Sequence, residues 1–343
     1  MANFQNTVKL DALAMLQENA NKDLRPSSYG ATMAFNDHKR EVILNFDEFR
    51  NIESEPDLQD RKIDYVRRDS DTVNSSRSAS LTGAYGTSTR STLAFVTYAR
   101  QFSISDDQAR ANTLGAVKLM AAQLKNARLD IATEIESDAV AKLEAYVNTV
   151  QGSRSEGTWD SSNYVMEIAL TNKEQYFNYV STGMRTLDYN GQLQSIHTPF
   201  ANSAINYQMA QGVGNATNMQ YQYPDFDMYT SSSVTNLSDY LWTSYAVEVG
   251  SLGLVDWVPA KNRAGRTQGL WDFSVIPDPM GIHDSGLALA AYETVVDNSS
   301  GGNNVGGNTQ DATTIYELSI DVAFFIPTIT TQKLVNKYGL LSS

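Results

Sequence analysis

Three histidines, His38, His197 and His283, are the chain's whole imidazole complement, and cysteine is absent. The histidines lie far apart and none has a second histidine at helical spacing, so neither a helix-borne zinc site nor a proton relay is indicated. They read as solvated or hydrogen-bonded side chains. Asp69 with Asp71, and Asp225 with Asp227, put carboxylates two residues apart. Neither pair continues into the glycine and terminal glutamate of a calcium loop. Glycoside chemistry can draw its two carboxylates from distant segments, so it stays open as a minor reading. The 18 Tyr and four Trp could stack sugars or bases, but they are spread along the chain and are read as core and interface residues. Gly212-Val213-Gly214 lacks the third glycine of a dinucleotide loop, and neither a phosphate-binding Gly-x-x-x-x-Gly-Lys-Ser/Thr nor a Gly-x-Ser-x-Gly elbow occurs. No catalytic residue, no metal site and no cofactor is expected.

Composition narrows the classes further. The 343 residues carry 26 Lys+Arg against 39 Asp+Glu, a formal net charge of −13, which argues against coating DNA by phosphate neutralisation. An apolar share of 41% is enough for a real core. Without cysteine there is no disulfide framework, no thiolate zinc and no thiol nucleophile. The polar start Met1-Ala2-Asn3-Phe4-Gln5-Asn6-Thr7 has no basic and then apolar export pattern, so no secretory signal is expected. No run of about 18 apolar residues is present, so no membrane span or membrane partner is expected.

The elements that would have to position any site are more informative. Leu10, Leu13, Leu16 and Ala20 outline an amphipathic helix over 8–24, read equally as an anchor in an extended arm or as a helix on its own domain. Residues 41–60 hold seven acids and the single base Arg50; residues 61–100 hold seven bases against Asp64, Asp69 and Asp71. Extended patterns at 62–67 and 93–98 flank a polar stretch, 69–92, that cannot bury a core of its own. That predicts a long hairpin with a polar tip. From Ser105 as a cap to Gln151-Gly152-Ser153, the apolar positions Leu114, Val117, Ala121, Leu124, Ile131, Ile135, Ala139, Leu143 and Val147 alternate by three and four, with Arg128 interrupting. Some 45 helical residues would span roughly 65 Å. That length fits a broken pair of helices or the spine of an elongated molecule; a coiled coil is disfavoured by the alanine-rich stripe. Further helices are predicted at 172–183 and at 236–251, the latter capped by Asn236. Residues 297–310 read as a loop. Residues 315–327 read as a strand, alternating first and continuously apolar later.

Arg90-Ser91-Thr92-Leu93-Ala94-Phe95-Val96-Thr97-Tyr98-Ala99-Arg100-Gln101-Phe102-Ser103-Ile104-Ser105, running into the long helix, and Ile320-Asp321-Val322-Ala323-Phe324-Phe325-Ile326-Pro327 near the end, carry a resemblance in the order of parts. The chain resembles the major capsid proteins of tailed bacteriophages, the Hong Kong 97-like fold. The resemblance covers most of the chain as architecture and rests on no catalytic motif. It implies an α+β fold with an N-terminal arm (1–40), an E-loop hairpin (41–104), a peripheral domain with a spine helix (105–160), an axial domain (161–310) and a C-terminal strand returning to the body (311–343). It further implies a structural, non-enzymatic subunit forming hexamers and pentamers of an icosahedral head, assembled in the host cytoplasm and found in the virion. The head would enclose double-stranded DNA without sequence-specific binding. A separate scaffolding protein, or none, is expected, with portal and decoration proteins as further partners. Covalent Lys–Asn crosslinks are not carried over. Opposite charges on 41–60 and 61–100 suit head-to-tail contacts within a ring. On this reading Arg67, Arg68, Arg77 and Arg90 meet acids of a neighbouring copy, among them Glu134, Glu136 and Asp138. The alternatives are another virion component, either a tail-tube or a decoration protein, and a carbohydrate-binding or glycoside-active surface protein.

Overall fold

A computed structural model describes residues 29–43, 62–66, 88–105, 113–203, 226–257, 272–276, 287, 289–297, 312–327 and 334–343. The expected helix at 8–24, the hairpin tip and the 297–310 loop lie wholly or largely outside these residues. The architecture is α+β.

Two short helices open the described chain, α1 (Gly30–Asp37) and α2 (Lys39–Val42). A two-stranded antiparallel ribbon follows, β1 (Lys62–Val66) against β2 (Ser88–Thr92). The hairpin's second arm is thus 88–92, inside the stretch expected to be its tip. The expected strand at 93–98 belongs elsewhere: β3 (Val96–Ser105) is an arm of a different sheet. Ser105, expected as the helix cap, ends that strand, paired with Thr313. The long helix α3 is Thr113–Ala145, 33 residues, or roughly 50 Å. It stops short of Gln151 because Val147 and Asn148 join strand-like to Val335: Val147 bridges it and the Asn148 N–H donates to its carbonyl.

Next come β4 (Thr158–Asp160), β5 (Val165–Ile168), a 3-10 turn (Leu170–Gln175) and α4 (Tyr176–Thr186). Tyr176, Phe177 and Val180 of α4 are buried, as their spacing predicts. Then follow β6 (Leu193–His197), β7 (Phe226–Thr230), β8 (Tyr240–Glu248), β9 (Gly253–Trp257), β10 (Asp272–Ile276), β11 (Leu289–Asp297), β12 (Ala312–Phe325) and β13 (Asn336–Leu341). The helix expected at 236–251 is therefore strand β8. Leu241, Tyr245 and Val249 are spaced by four, but Tyr, Trp, Thr and Val between them favour a strand. Both faces of β8 are covered, and that erases the period-two signal.

Two larger sheets hold these strands. One runs β10-β11-β12-β3, with β9 pairing the last part of β12. The other runs β4-β5-β13-β8-β6-β7. The end of the chain thus supplies a strand to each. In β12 the polar row Glu317, Ser319 and Asp321 is buried along with its apolar row. As a central strand it has no solvent face; the Gln101 amide donates to Glu317 and the Thr97 hydroxyl to Asp321.

Helix α3 ties the two sheets together. Val117, Met120, Ala121, Leu124, Ala127, Ile131, Ile135, Ala139 and Leu143 sit in one core cluster with Tyr98, Leu318, Ile320 and Val322 of the first sheet and Tyr245, Val335 and Tyr338 of the second. Arg128, Ala132 and Glu136, spaced by four, form a second buried row. There α1 meets α3. Tyr29 gives α1 no side-chain cap. The Glu136 carboxylate does that work from α3, accepting the Ala31 and Thr32 N–H groups at 2.8 Å each and the Thr32 hydroxyl at 2.7 Å. Gly30 is required beside this cap, because a Cβ would fall 2.3 Å from the Thr230 carbonyl oxygen.

Candidate assembly surface

The six-stranded sheet shows what is spent on the core. On one face α4 packs over His197, Ser244 and Trp242: the Tyr176 and Ser244 hydroxyls are 2.7 Å apart, and the Phe177 ring meets His197 edge-on. His197 is fully buried, with Nε2 3.0 Å from Asn202 Oδ1. Burial pushes its pKa down to about 4, so it is a neutral core side chain. On the opposite face the Glu144 carboxylate of α3 accepts from Lys337 at 2.8 and 2.9 Å and from the Tyr245 hydroxyl at 2.6 Å. Burial, then Glu144, pushes the Tyr245 phenol far above its usual range. Asp160 and Glu167, the nearest thing to a carboxylate pair, share the Tyr240 hydroxyl at 3.1 and 2.9 Å. Asp160 also accepts three hydrogen bonds from its own turn, from Ser162 N, Asn163 N and Asn163 Nδ2, and these tie it down as a turn former. Among the described residues, no three His, Cys, Asp or Glu side chains converge as metal ligands, and no helix is long and apolar enough to cross a membrane.

What lies outside the core is a set of strand edges. Among the described residues β1 and β2 pair only with each other, and β3 pairs only with β12. The outer face of β3 presents Thr97, Ala99, Gln101 and Ser103, all exposed, beside Val96 at 48% exposure. Among the described residues the outer edge of this ten-residue strand has no partner strand, and such an edge is a template for another. The base of the β1–β2 ribbon is not free. Ile63, Tyr65 and Leu93 are buried with Val42, Ile43, Val255, Ala323 and Phe325, and the Tyr65 and Phe325 rings lie 5.3 Å apart. The base of the ribbon is therefore pinned to its own body at β9 and β12.

The predicted contact residues divide. Arg67, Arg68 and Arg77 lie outside the described residues. Arg90 faces Asp64 directly across the ribbon and grips its carboxylate with Nε and Nη2 at 2.7 and 2.8 Å, which holds the Asp64 carboxyl below its usual range. Glu134 is exposed on α3. Asp138 is half-buried and accepts the Tyr98 hydroxyl. Burial, then Asp138 and Glu134, pushes the Tyr98 phenol well up. Glu136 is corrected: it is 1% exposed and spent on capping α1. Burial pushes its pKa up, while donors from Ser231, Thr32 and Ala31 pull it back part of the way. Farther toward the start of α3, the Arg100–Asp130 pair at 3.2 Å is exposed on both sides.

Sequence reasoning missed a second exposed feature. Leu170, Leu241 and Phe200 are exposed, Phe200 to 72%. All three lie at one end of the six-stranded sheet, just beyond the row Ile168–Leu340–Trp242 and the Thr198–Thr243 hydrogen bond. Only the strand register brings them together, since they come from three separate segments.

Neither a family model nor a curated protein matches the chain. Solved structures do. The chain is similar to one in the capsid asymmetric unit of Cyanophage A-1(L), at 12% identity over 83% of this chain and 89% of that one, with a TM-score of 0.49. It is similar to a chain in the capsid structure of Cyanophage P-SCSP1u, at 10% identity over 82% and 84%, with a TM-score of 0.44. It is likewise similar to a chain in the capsid of a native GTA particle, at 9% identity over 82% and 85%, with a TM-score of 0.41.

Proposed function

We propose that this chain is the repeating subunit of an icosahedral phage head of the Hong Kong 97-like type. The observation that carries the reading is one arrangement. A charged two-stranded ribbon, outside both large sheets, leads through β3 into a 33-residue helix that spans those sheets, and the chain's last two strands return one to each. In this reading 1–40 is the arm and 41–104 the E-loop, with β3 as its root in the peripheral sheet. Residues 105–160 hold the spine helix, 161–310 build the axial domain around the six-stranded sheet while lending β9, β10 and β11 to the sheet of β3, and 311–343 close both. Copies overlap through the ribbon and the open edge of β3 to form hexamers and pentamers, and the shell encloses double-stranded DNA. A net charge of −13 suits a wall that does not bind its contents. Scaffolding, portal and decoration proteins are the expected partners, and the subunit acts without catalysis. The long helix counts against a tail-tube protein, which should be mostly β.

Negative-stain microscopy of the expressed chain tests this. Closed shells or capsomer rings are expected; dispersed monomers at high concentration would overturn it.

A further inference from the structure

The turn between α4 and β6 carries the chain's one Asn-Gly step, Asn190-Gly191. Asn190 is exposed, while Tyr189 before it is buried. An asparagine followed by glycine is open to attack by its own backbone, because no Cβ shields the glycine nitrogen. In that reaction the Gly191 nitrogen bonds to Asn190 Cγ, and its proton leaves with the side-chain amide as ammonia. Water then opens the five-membered imide to aspartate or isoaspartate. The attack needs a free Gly191 N–H and a backbone able to rotate about Asn190.

The fold withholds both. The Gly191 N–H donates to Glu248 Oε1 at 3.1 Å, at the end of β8. Arg185 Nη1 donates to the Tyr189 and Gly191 carbonyls at 2.9 and 2.8 Å, which brackets Asn190. The Asn190 side-chain amide donates to the Asp188 carbonyl at 3.3 Å, and Asp188 is itself left-handed at φ 66°. The N–H groups of Leu187, Asp188 and Tyr189 all return to carbonyls in the last turn of α4. Glycine is a condition of this clamp, since a Cβ at 191 would fall 2.4 Å from Glu248 Oε1, the atom that accepts its N–H. The residue that makes the step reactive is thus the one that lets the carboxylate close on it.

We propose that Asn190 is a deamidation site held in check by the Glu248 and Arg185 clamp, so that its modification marks chains in which the α4–β6 turn has opened. The inference stands on this geometry and does not depend on the shell reading. The product adds a carboxylate to a corner that already holds Glu248, and also Asp227, which the Gln192 amide reaches at 2.9 Å. Isoaspartate further adds a backbone carbon to the turn. Either product works against closure of the clamp.

Peptide mapping of the full chain, incubated at mildly alkaline pH, tests this. The peptide carrying Asn190 is followed for conversion of amide to acid and for isoaspartate, in the native chain and in guanidinium chloride. Glu248→Ala should raise the native rate by about tenfold, the worth of one charge-assisted hydrogen bond, and leave the unfolded rate unchanged. Native wild type should be slower than the unfolded chain by at least the same factor. Circular dichroism checks that the variant folds; should it not, Arg185→Met, which keeps the stem and loses the donors, decides by the same comparison. Equal native rates in wild type and variant would overturn the proposal, as would an Asn190 that stays an amide in the unfolded chain.

Discussion

A buried histidine turns its surroundings into a pH response. His197 is neutral in the fold, with burial pushing its pKa down to about 4 from an ordinary 6.5. Above pH 6.5 neither folded nor unfolded chain is protonated there and nothing changes. As pH falls towards 4, the unfolded chain takes up a proton that the folded one refuses, so stability is lost across that window. At roughly 1.4 kcal/mol per pH unit the loss comes to about 3 kcal/mol. Urea unfolding at pH 7, 5.5 and 4.5 should show it, and His197→Gln should flatten that stretch of the curve. An unchanged slope in the variant would assign the loss to another group.

Helices here are held by what they meet more than by their own ends. Helix α1 has eight residues, too few to stand alone, and takes its N-terminal acceptor from Glu136 on α3. Replacing Glu136 with Ala leaves the Ala31 and Thr32 N–H groups and the Thr32 hydroxyl unpaired in the interior. The expected cost is about 1–3 kcal/mol, read by thermal or denaturant unfolding, with the largest loss of exchange protection in 30–37. A variant as stable as the wild type would mean that water replaces the carboxylate. The same carboxylate, counted from the sequence as part of a charged contact stripe, is thereby removed from the list of surface acids. Glu134 and Asp138, two residues to either side and so on another face of α3, keep their places near β3.

At the scale of the molecule, stability and assembly are separable. The core joining α3 to both sheets carries the fold, whereas the ribbon's charges lie outside it. Arg90 is 64% exposed and already paired within its own hairpin, so reversing it alone should change stability by less than about 1 kcal/mol. Reversing Arg67, Arg68, Arg77 and Arg90 together to Glu should leave the circular dichroism spectrum unchanged and abolish shells or rings under the microscope. Normal assembly by the fourfold variant would place the intersubunit contact elsewhere, with the Leu170–Leu241–Phe200 end of the six-stranded sheet as the next surface to test.

Local signals in the chain were enough for the long helix, the first arm of the charged ribbon and the strand near the end, because each depends on spacing or composition within one segment; the α+β class came with the resemblance in the order of parts. Periodicity placed α3 within a few residues at its C-terminal end, and Tyr176, Phe177 and Val180 marked the buried face of α4. It could not distinguish strand β8 from a helix, since a strand covered on both faces has no alternation to read. Nor could it say that 93–98 leaves the hairpin for another sheet, that Glu136 turns inward to cap α1, or that Leu170, Leu241 and Phe200 share one end of a sheet. Those are decisions about which segments become neighbours. They are made by burial and hydrogen-bond satisfaction summed over the whole fold, and no stretch of residues contains them alone.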